Sequence, residues 1–201
     1  EYAMKNENEL GKTEAWYVID AKPNAKLIVG TKNCTKKEFE KAIEENRTED
    51  YLNVIDVKKG DAFLINSGMV HAICEGLIIA EIQQNSDVTY RVYDYGRQRE
   101  LHVKKSLDVI DFNLKAENLS NSKIENFEIF DKVKLCKNKY FAMEKINIQN
   151  KYISSSEKER FHISGKHSVA CGHMDTDPFF YVGFRKRKCS DYSRWERIRK
   201  I

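Results

Sequence analysis

The stretch from residue 57 to residue 94, VKKGDAFLINSGMVHAICEGLIIAEIQQNSDVTYRVYD, constrains the fold of this chain most strongly. It alternates short apolar, β-prone runs with turn signals: Lys58-Lys59-Gly60-Asp61, Asn66-Ser67-Gly68, Glu75-Gly76 and Asn85-Ser86-Asp87. Runs of this length predict strands over Ala62–Ile65, Leu77–Gln83 and Val88–Tyr93, too short for helices and joined by tight turns. Such a series folds as a sandwich or barrel of antiparallel strands. Gly68 suits the turn before His71, because only glycine takes a positive φ freely. Strands joined by turns would set His71 and Arg91 near one another, facing a common interior. That interior would hold an imidazole able to bind a metal and a permanent cation, with a hydrogen-bonded core histidine as the lesser alternative for His71.

The flanking sequence extends the pattern. Residues 1–11 are polar, end in Gly11 and read as an entry loop. Thr13 to Asp20, with Trp16, Tyr17, Val18 and Ile19 in succession, predicts a strand stopped by Pro23-Asn24. Lys26–Val29 predicts another, ended by Gly30. Thr35-Lys36-Lys37-Glu38 has the form of a capping box, and Phe39, Ala42 and Ile43 share one helical face, so a helix is expected over about 36–46. Leu101 to Ile110 fits either a helix or a strand. Asn118 to Asn126 is rich in Asn and Ser and reads as a linker, and a second β unit begins near Phe127, with strands over Val133–Leu135 and Tyr140–Ile148. From about residue 153 the apolar period fades, and Ser193–Ile201 shows no β pattern.

Composition narrows the function classes. The 201 residues can bury a real core. No apolar run approaches the ~20 residues of a membrane span. Five scattered cysteines, odd in number, favour a reducing, cytoplasmic setting. The net charge of +4 suits an anionic small molecule, whereas nucleic acid would need a clustered patch. The charge is compatible with a small-molecule partner without demanding one, and neither nucleic acid nor a membrane is expected.

Gly11-Lys12-Thr13-Glu14 places a carboxylate at the start of a strand, with Lys12 on the same face two residues earlier. A buried Glu14 would need a partner, and a metal is one; the plain alternative is a surface Lys/Glu pair. His102 reads as a surface residue of a connector, and Asp94 or Glu81 could orient Arg91. His167, Cys171, His173 and Cys189 in the tail match none of the usual zinc spacings, and Arg185–Lys188 is a single basic run.

Gly60, Gly68 and His71 partly match the second motif of the cupin jelly roll, G-x5-P-x-G-x2-H-x3-N, with Asn66 in place of the proline and Glu75 in place of the asparagine. More specifically, GKTEAWYVID, KKGDAFLINSGMVHAI, EIQQNSDVTYRVYDYGR and RELHVKKSLDVI resemble bacterial type I mannose-6-phosphate isomerases over about residues 1–150. The resemblance implies a zinc-dependent interconversion of mannose 6-phosphate and fructose 6-phosphate. It implies Glu14 and His71 as Zn2+ ligands, Arg91 as the catalytic arginine and Lys12 as a lysine beside the metal. The family's other ligands come from a Gln-x-His-Pro element that this sequence does not contain, so the chain is expected to be truncated at its N-terminus.

The fold expected is all-β: a catalytic cupin jelly roll over 1–112 with a short helical insert, a linker over 113–126, and an incomplete second cupin-like β domain over 127–201. Its tail from about 160 is atypical and reads as divergence or as an altered reading frame. The rivals to an isomerase are a catalytically inactive cupin fragment, or a sugar-phosphate-binding module, and a metal-dependent cupin of different chemistry.

Overall fold

The computed structural model describes residues 1–128 and 130–148, together with the backbone of three later strands, Arg160–Lys166, Pro178–Arg185 and Arg197–Lys200. It is built from three antiparallel sheets. In chain order the strands are β1 (Glu14–Ala21), β2 (Lys26–Thr31), β3 (Leu52–Asp56), β4 (Ala62–Ile65), β5 (His71–Ile73), β6 (Leu77–Gln83), β7 (Glu117–Asn118), β8 (Ile124–Asn126), β9 (Phe130–Lys137), β10 (Phe141–Ile148), β11 (Arg160–Lys166), β12 (Pro178–Arg185) and β13 (Arg197–Lys200). The helices are α1 (Tyr2–Glu7), α2 (Lys36–Glu44) and α3 (Val103–Val109), with a 3-10 turn at Thr48–Tyr51. The all-β class expected from the spaced short strands is what the chain adopts. Among the described residues, no helix is long and apolar enough to cross a membrane.

β1 is the centre of the arrangement. It lies between β4 and β6 in a sheet ordered β13-β6-β1-β4-β7. Its first six residues, Glu14 to Ile19, are all buried, which explains a sequence with no polar alternation: a strand covered on both faces has no solvent side to mark. Trp16 and Val18 pack on one side with Leu27 and Val29 of the small sheet β3-β2-β5. Ala15, Tyr17 and Ile19 pack on the other with Leu119, Val133, Leu135, Phe141 and Met143. A third cluster under α2 gathers Ile28, Phe39, Leu52, Val92 and Leu107.

α2 forms where the capping box places it. The Glu38 amide donates to Thr35 Oγ1, and Glu38 Oε2 accepts from the Thr35 amide at 2.7 Å. The Phe39 and Ala42 face is buried. Leu101–Ile110, open between helix and strand in the sequence, contains the helix α3.

Several expectations are corrected. Residues 1–11 are not simply a loop: Tyr2–Glu7 is helical and ends at Asn8, whose φ of 55° is left-handed. β2 does not stop at Gly30 but runs through it to Thr31. There Gly30 sits at φ 90° and the pairing with β3 shifts register, which marks a bulge that glycine accommodates.

Val88–Tyr93 is not a strand. Side chains take its amides in place of a ladder: Val88 N–H donates to Ser86 Oγ and Arg91 N–H to His102 Nδ1. The tail also departs from the reading of an unpatterned end. β11 and β12 extend β10 in the sheet β11-β12-β10-β9-β8, and β13 lines up on β6. Within 113–126, β7 pairs with β4 and β8 with β9.

Candidate functional site

The two strands of greatest interest belong to different sheets. Glu14 opens β1, opposite Ile65 on one side and Gln83 on the other. His71 opens β5, opposite Val29 in the small sheet. The turn before His71 is fixed by Gly68 at φ 93°, whose carbonyl accepts from the Asp111 amide at 3.0 Å. The Val70 carbonyl accepts from the Gly30 amide at 2.7 Å. A Cβ on Gly68 would come within 2.9 Å of the Val109 carbonyl oxygen, so close approach and backbone conformation both require glycine here.

Across the gap between the sheets, His71 Nε2 lies 3.7 Å from Glu14 Oε2. His71 Nδ1 is 2.8 Å from the Met69 carbonyl oxygen. A carbonyl can only accept, so Nδ1 carries the proton, and in the neutral ring Nε2 presents its lone pair toward the carboxylate. Trp16, two residues along β1 on the same face as Glu14, donates its indole N–H to Glu14 Oε2 at 3.1 Å and meets the His71 ring edge-on at 5.4 Å. Lys12 Nζ lies 3.3 Å from Glu14 Oε1 and donates to Gln83 Oε1 at 3.0 Å. The Gln83 amide is itself oriented by donating to the Ser86 carbonyl.

Glu14 is thus a carboxylate with 2% of its side chain exposed, between an ammonium and an imidazole. Its Oε1 has no hydrogen-bond partner among the described residues. The Lys12 ammonium attracts it by charge without hydrogen-bond alignment. The Lys12–Glu14 pair is therefore not the surface pair that the sequence left open.

This donor set bears on a metal in a definite way. The His71 Nε2 of a neutral ring and the Glu14 carboxylate oxygen, 3.7 Å apart, form a pair of donors that a cation would bridge. The Met69 carbonyl supplies the kind of second contact that fixes a ligating imidazole. Nitrogen and oxygen donors of this kind suit zinc, and the two residues fit it as part of a ligand set. Zinc sites take three or four protein ligands. Among the described residues, no group of three or more His, Cys, Asp or Glu side chains is placed to hold an ion.

The structure brings together Lys12, Glu14 and His71. It does not bring Arg91 into contact with them. Arg91 Nη1 donates to the Glu100 carbonyl at 3.0 Å, and its Nε lies 3.7 Å from Asp94 Oδ1. Asp94 is buried and receives Arg99 Nε at 2.6 Å. The Arg99 hydrogen bond, with Arg91 adding its charge, holds the Asp94 carboxyl below the usual carboxylate range.

His102 is also more engaged than a surface connector residue, since its ring accepts from the Arg91 amide. Trp16 and Gln83 escaped the sequence reading. Trp16 could have been found from its i+2 spacing to Glu14 and its need for a partner when buried, whereas Gln83 is positioned by strand register that the local sequence does not encode. The tail candidates His167, Cys171, His173 and Cys189 lie outside the described residues, as do Ser154–Glu159 and the run 186–188 beyond Arg185.

Comparison with known proteins adds a second line of observation. The chain is 49% identical over 118 residues to a mannose-6-phosphate isomerase of Bacillus subtilis, a match covering 55% of this chain and 38% of that protein. It is 46% identical over 115 residues to a mannose-6-phosphate isomerase of Streptococcus mutans, covering 54% of this chain and 36% of that one. Over that stretch the chain is similar to bacterial mannose-6-phosphate isomerases.

The crystal structure of the mannose 6-phosphate isomerase from Bacillus subtilis superposes with a TM-score of 0.69 at 28% identity, over 92% of this chain and 65% of that one. A phosphomannose isomerase variant from Salmonella typhimurium superposes with a TM-score of 0.55 at 9% identity, a likeness of fold alone. No protein-family model matches the chain. The matched part spans less than half the length of the curated isomerases.

Proposed function

We propose that this chain carries part of the active site of a mannose-6-phosphate isomerase, a cytoplasmic aldose–ketose isomerase of carbohydrate metabolism that interconverts mannose 6-phosphate and fructose 6-phosphate. One observation carries the reading. A buried Glu14 carboxylate stands between the Lys12 ammonium and the His71 ring, in a chain that is 49% identical over 118 residues to an isomerase of that name. The free cysteines Cys34, Cys74 and Cys136 are compatible with a reducing compartment.

Aldose–ketose isomerisation moves a proton between C1 and C2 of the sugar through an enediolate. Glu14 and His71 would hold Zn2+, which when bound supplies Lewis-acid polarisation of substrate oxygens. The chain's own residues supply the rest. Lys12, 19% exposed and held by Gln83, is placed to exchange a proton with a substrate oxygen or to steady its charge. Arg91 keeps its proton at any working pH, so its part is to hold the sugar phosphate or the enediolate charge and not to accept a proton. Trp16 closes one side of the site and fixes the carboxylate.

The rival reading, a catalytically inactive cupin fragment or sugar-phosphate-binding module, is favoured by one fact: among the described residues two donors make an incomplete ligand set, and zinc affinity follows ligand count and geometry. A coupled assay converting mannose 6-phosphate to fructose 6-phosphate in added zinc, with metal analysis of the same sample, separates the readings. Turnover that is abolished by chelation and by Glu14→Gln supports the isomerase. No turnover at saturating zinc overturns its activity in this chain and leaves the inactive module.

A further inference from the structure

Arg91 lies outside any strand, yet its backbone is held as a strand residue would be. Its N–H donates to His102 Nδ1 at 3.2 Å, and the His102 N–H donates to the Arg91 carbonyl at 2.7 Å. The Arg91 guanidinium is tied to the same stretch through the Glu100 carbonyl.

His102 is the residue from which α3 starts, where a side-chain acceptor ordinarily turns onto the helix's own first amides. His102 makes no such bond; its acceptor is turned onto Arg91 instead. A ring nitrogen that accepts an N–H must keep its lone pair, so this imidazole is neutral with its hydrogen on Nε2. Two groups flank the ring: Glu100 Oε2 lies 3.8 Å from Nε2, and the Tyr90 ring stands edge-on at 6.4 Å. Tyr90 is in turn fixed by its hydroxyl, which donates to Glu7 at 3.1 Å.

We propose that His102 is the positioning residue for Arg91: its neutral ring clamps the Arg91 backbone and so fixes where the guanidinium points. The importance of that direction for turnover rests on the isomerase reading above, whereas the clamp itself does not.

The test uses the full chain with His102→Ala, His102→Asn and His102→Gln. The Asn amide oxygen stands about where Nδ1 stands, while the Gln oxygen reaches to the place of Nε2. Amide hydrogen exchange at Arg91 is followed by NMR, with kcat and KM on mannose 6-phosphate measured beside it. His102→Ala should speed exchange at Arg91 by about fivefold to tenfold, the loss of one hydrogen bond, while β1 amides keep their protection. Asn should restore protection and Gln should not. Turnover should follow the same order through kcat, with KM nearly unchanged.

Unchanged Arg91 exchange in His102→Ala, equal rescue by Gln and Asn, or the expected exchange order with an unmoved kcat would each overturn the proposal. If the parent chain shows no turnover, the isomerase reading fails, and the exchange series alone decides the clamp.

Discussion

The Lys12–Glu14 pair offers the sharpest test of how the site is built. In the double-mutant cycle Glu14→Gln, Lys12→Met and both together, each single change removes one charge and the double removes the pair. At the 3.3 Å separation seen here, two unit charges attract by about 5 kcal/mol at an effective dielectric of 20. Most of that attraction offsets the cost of taking the carboxylate, 2% exposed, out of water. Lys12 is 19% exposed and keeps Gln83 as a partner, so its charge is the cheaper of the two to strand. The net coupling is therefore expected near 2 kcal/mol.

The two singles should also be unequal. Lys12→Met strands a buried carboxylate whose Oε1 has no hydrogen bond among the described residues, and should cost about 3–4 kcal/mol. Glu14→Gln should cost about 1 kcal/mol less, because the new amide oxygen still accepts from Trp16. Urea unfolding followed by tryptophan fluorescence, in chelator so that no metal contributes, measures all four forms. A coupling under about 0.5 kcal/mol, the level of an exposed pair, or a Glu14→Gln variant less stable than Lys12→Met, would refute this account of the site.

Three further outcomes follow from the same geometry. Gly68→Ala should lower stability by about 2 kcal/mol, combining strain at φ 93° with the 2.9 Å approach to the Val109 carbonyl; a thermal melt within error of the parent would exclude that reading of the turn. Thr35→Ala should cost about 1 kcal/mol by removing the cap of α2, seen as faster amide exchange confined to residues 36–44. Glu7 is held below its ordinary value of 4.5, chiefly by its hydrogen bond to Lys105, with burial opposing and Tyr90 assisting. A carboxyl lowered by folding adds stability above its unfolded value, and that stability is lost as pH falls through the lower folded value. Glu7→Gln should therefore be less stable than the parent at neutral pH and converge with it below about pH 4.5; parallel curves down to acid would count against the Glu7–Lys105 contact.

Much of the first unit was legible because its signals are local. A capping box, glycine turns and short β-prone runs mark α2, the His71 turn, β4 and β6 within a few residues of each feature. The Lys12/Glu14 alternation also carried real information, since strand geometry alone puts those two on one face. What escaped depends on partners distant in sequence. Val88–Tyr93 has strong β propensity, but its amides are taken by Ser86 and His102, and no local rule reveals that a histidine 11 residues away replaces a neighbouring strand. The expected meeting of Arg91 with His71 failed for the same reason, because it assumed a strand that does not form. α1 was hidden by polar composition and is held by contacts at the far side of the unit, Tyr2 to Asp108 and Glu7 to Lys105.

The burial of β1 on both faces ties the candidate site to the second β unit. Glu14 and Trp16 face the small sheet, but the residues between and beyond them, Ala15, Tyr17 and Ile19, face Leu119, Val133, Leu135, Phe141 and Met143. Burying large side chains such as Tyr17 and Ile19 contributes about 1.5–3 kcal/mol each, and the Lys145 ammonium lies 5.6 Å from the centre of the Tyr17 ring. Without β9 and β10 the strand that presents Glu14 would show an apolar face to water. The carboxylate would then lose the rigid backing that keeps it against Trp16, Lys12 and His71. The described residues of the second unit thus serve the site by packing: their contact with the far face of β1 lets a buried charge be held at a fixed place between two sheets.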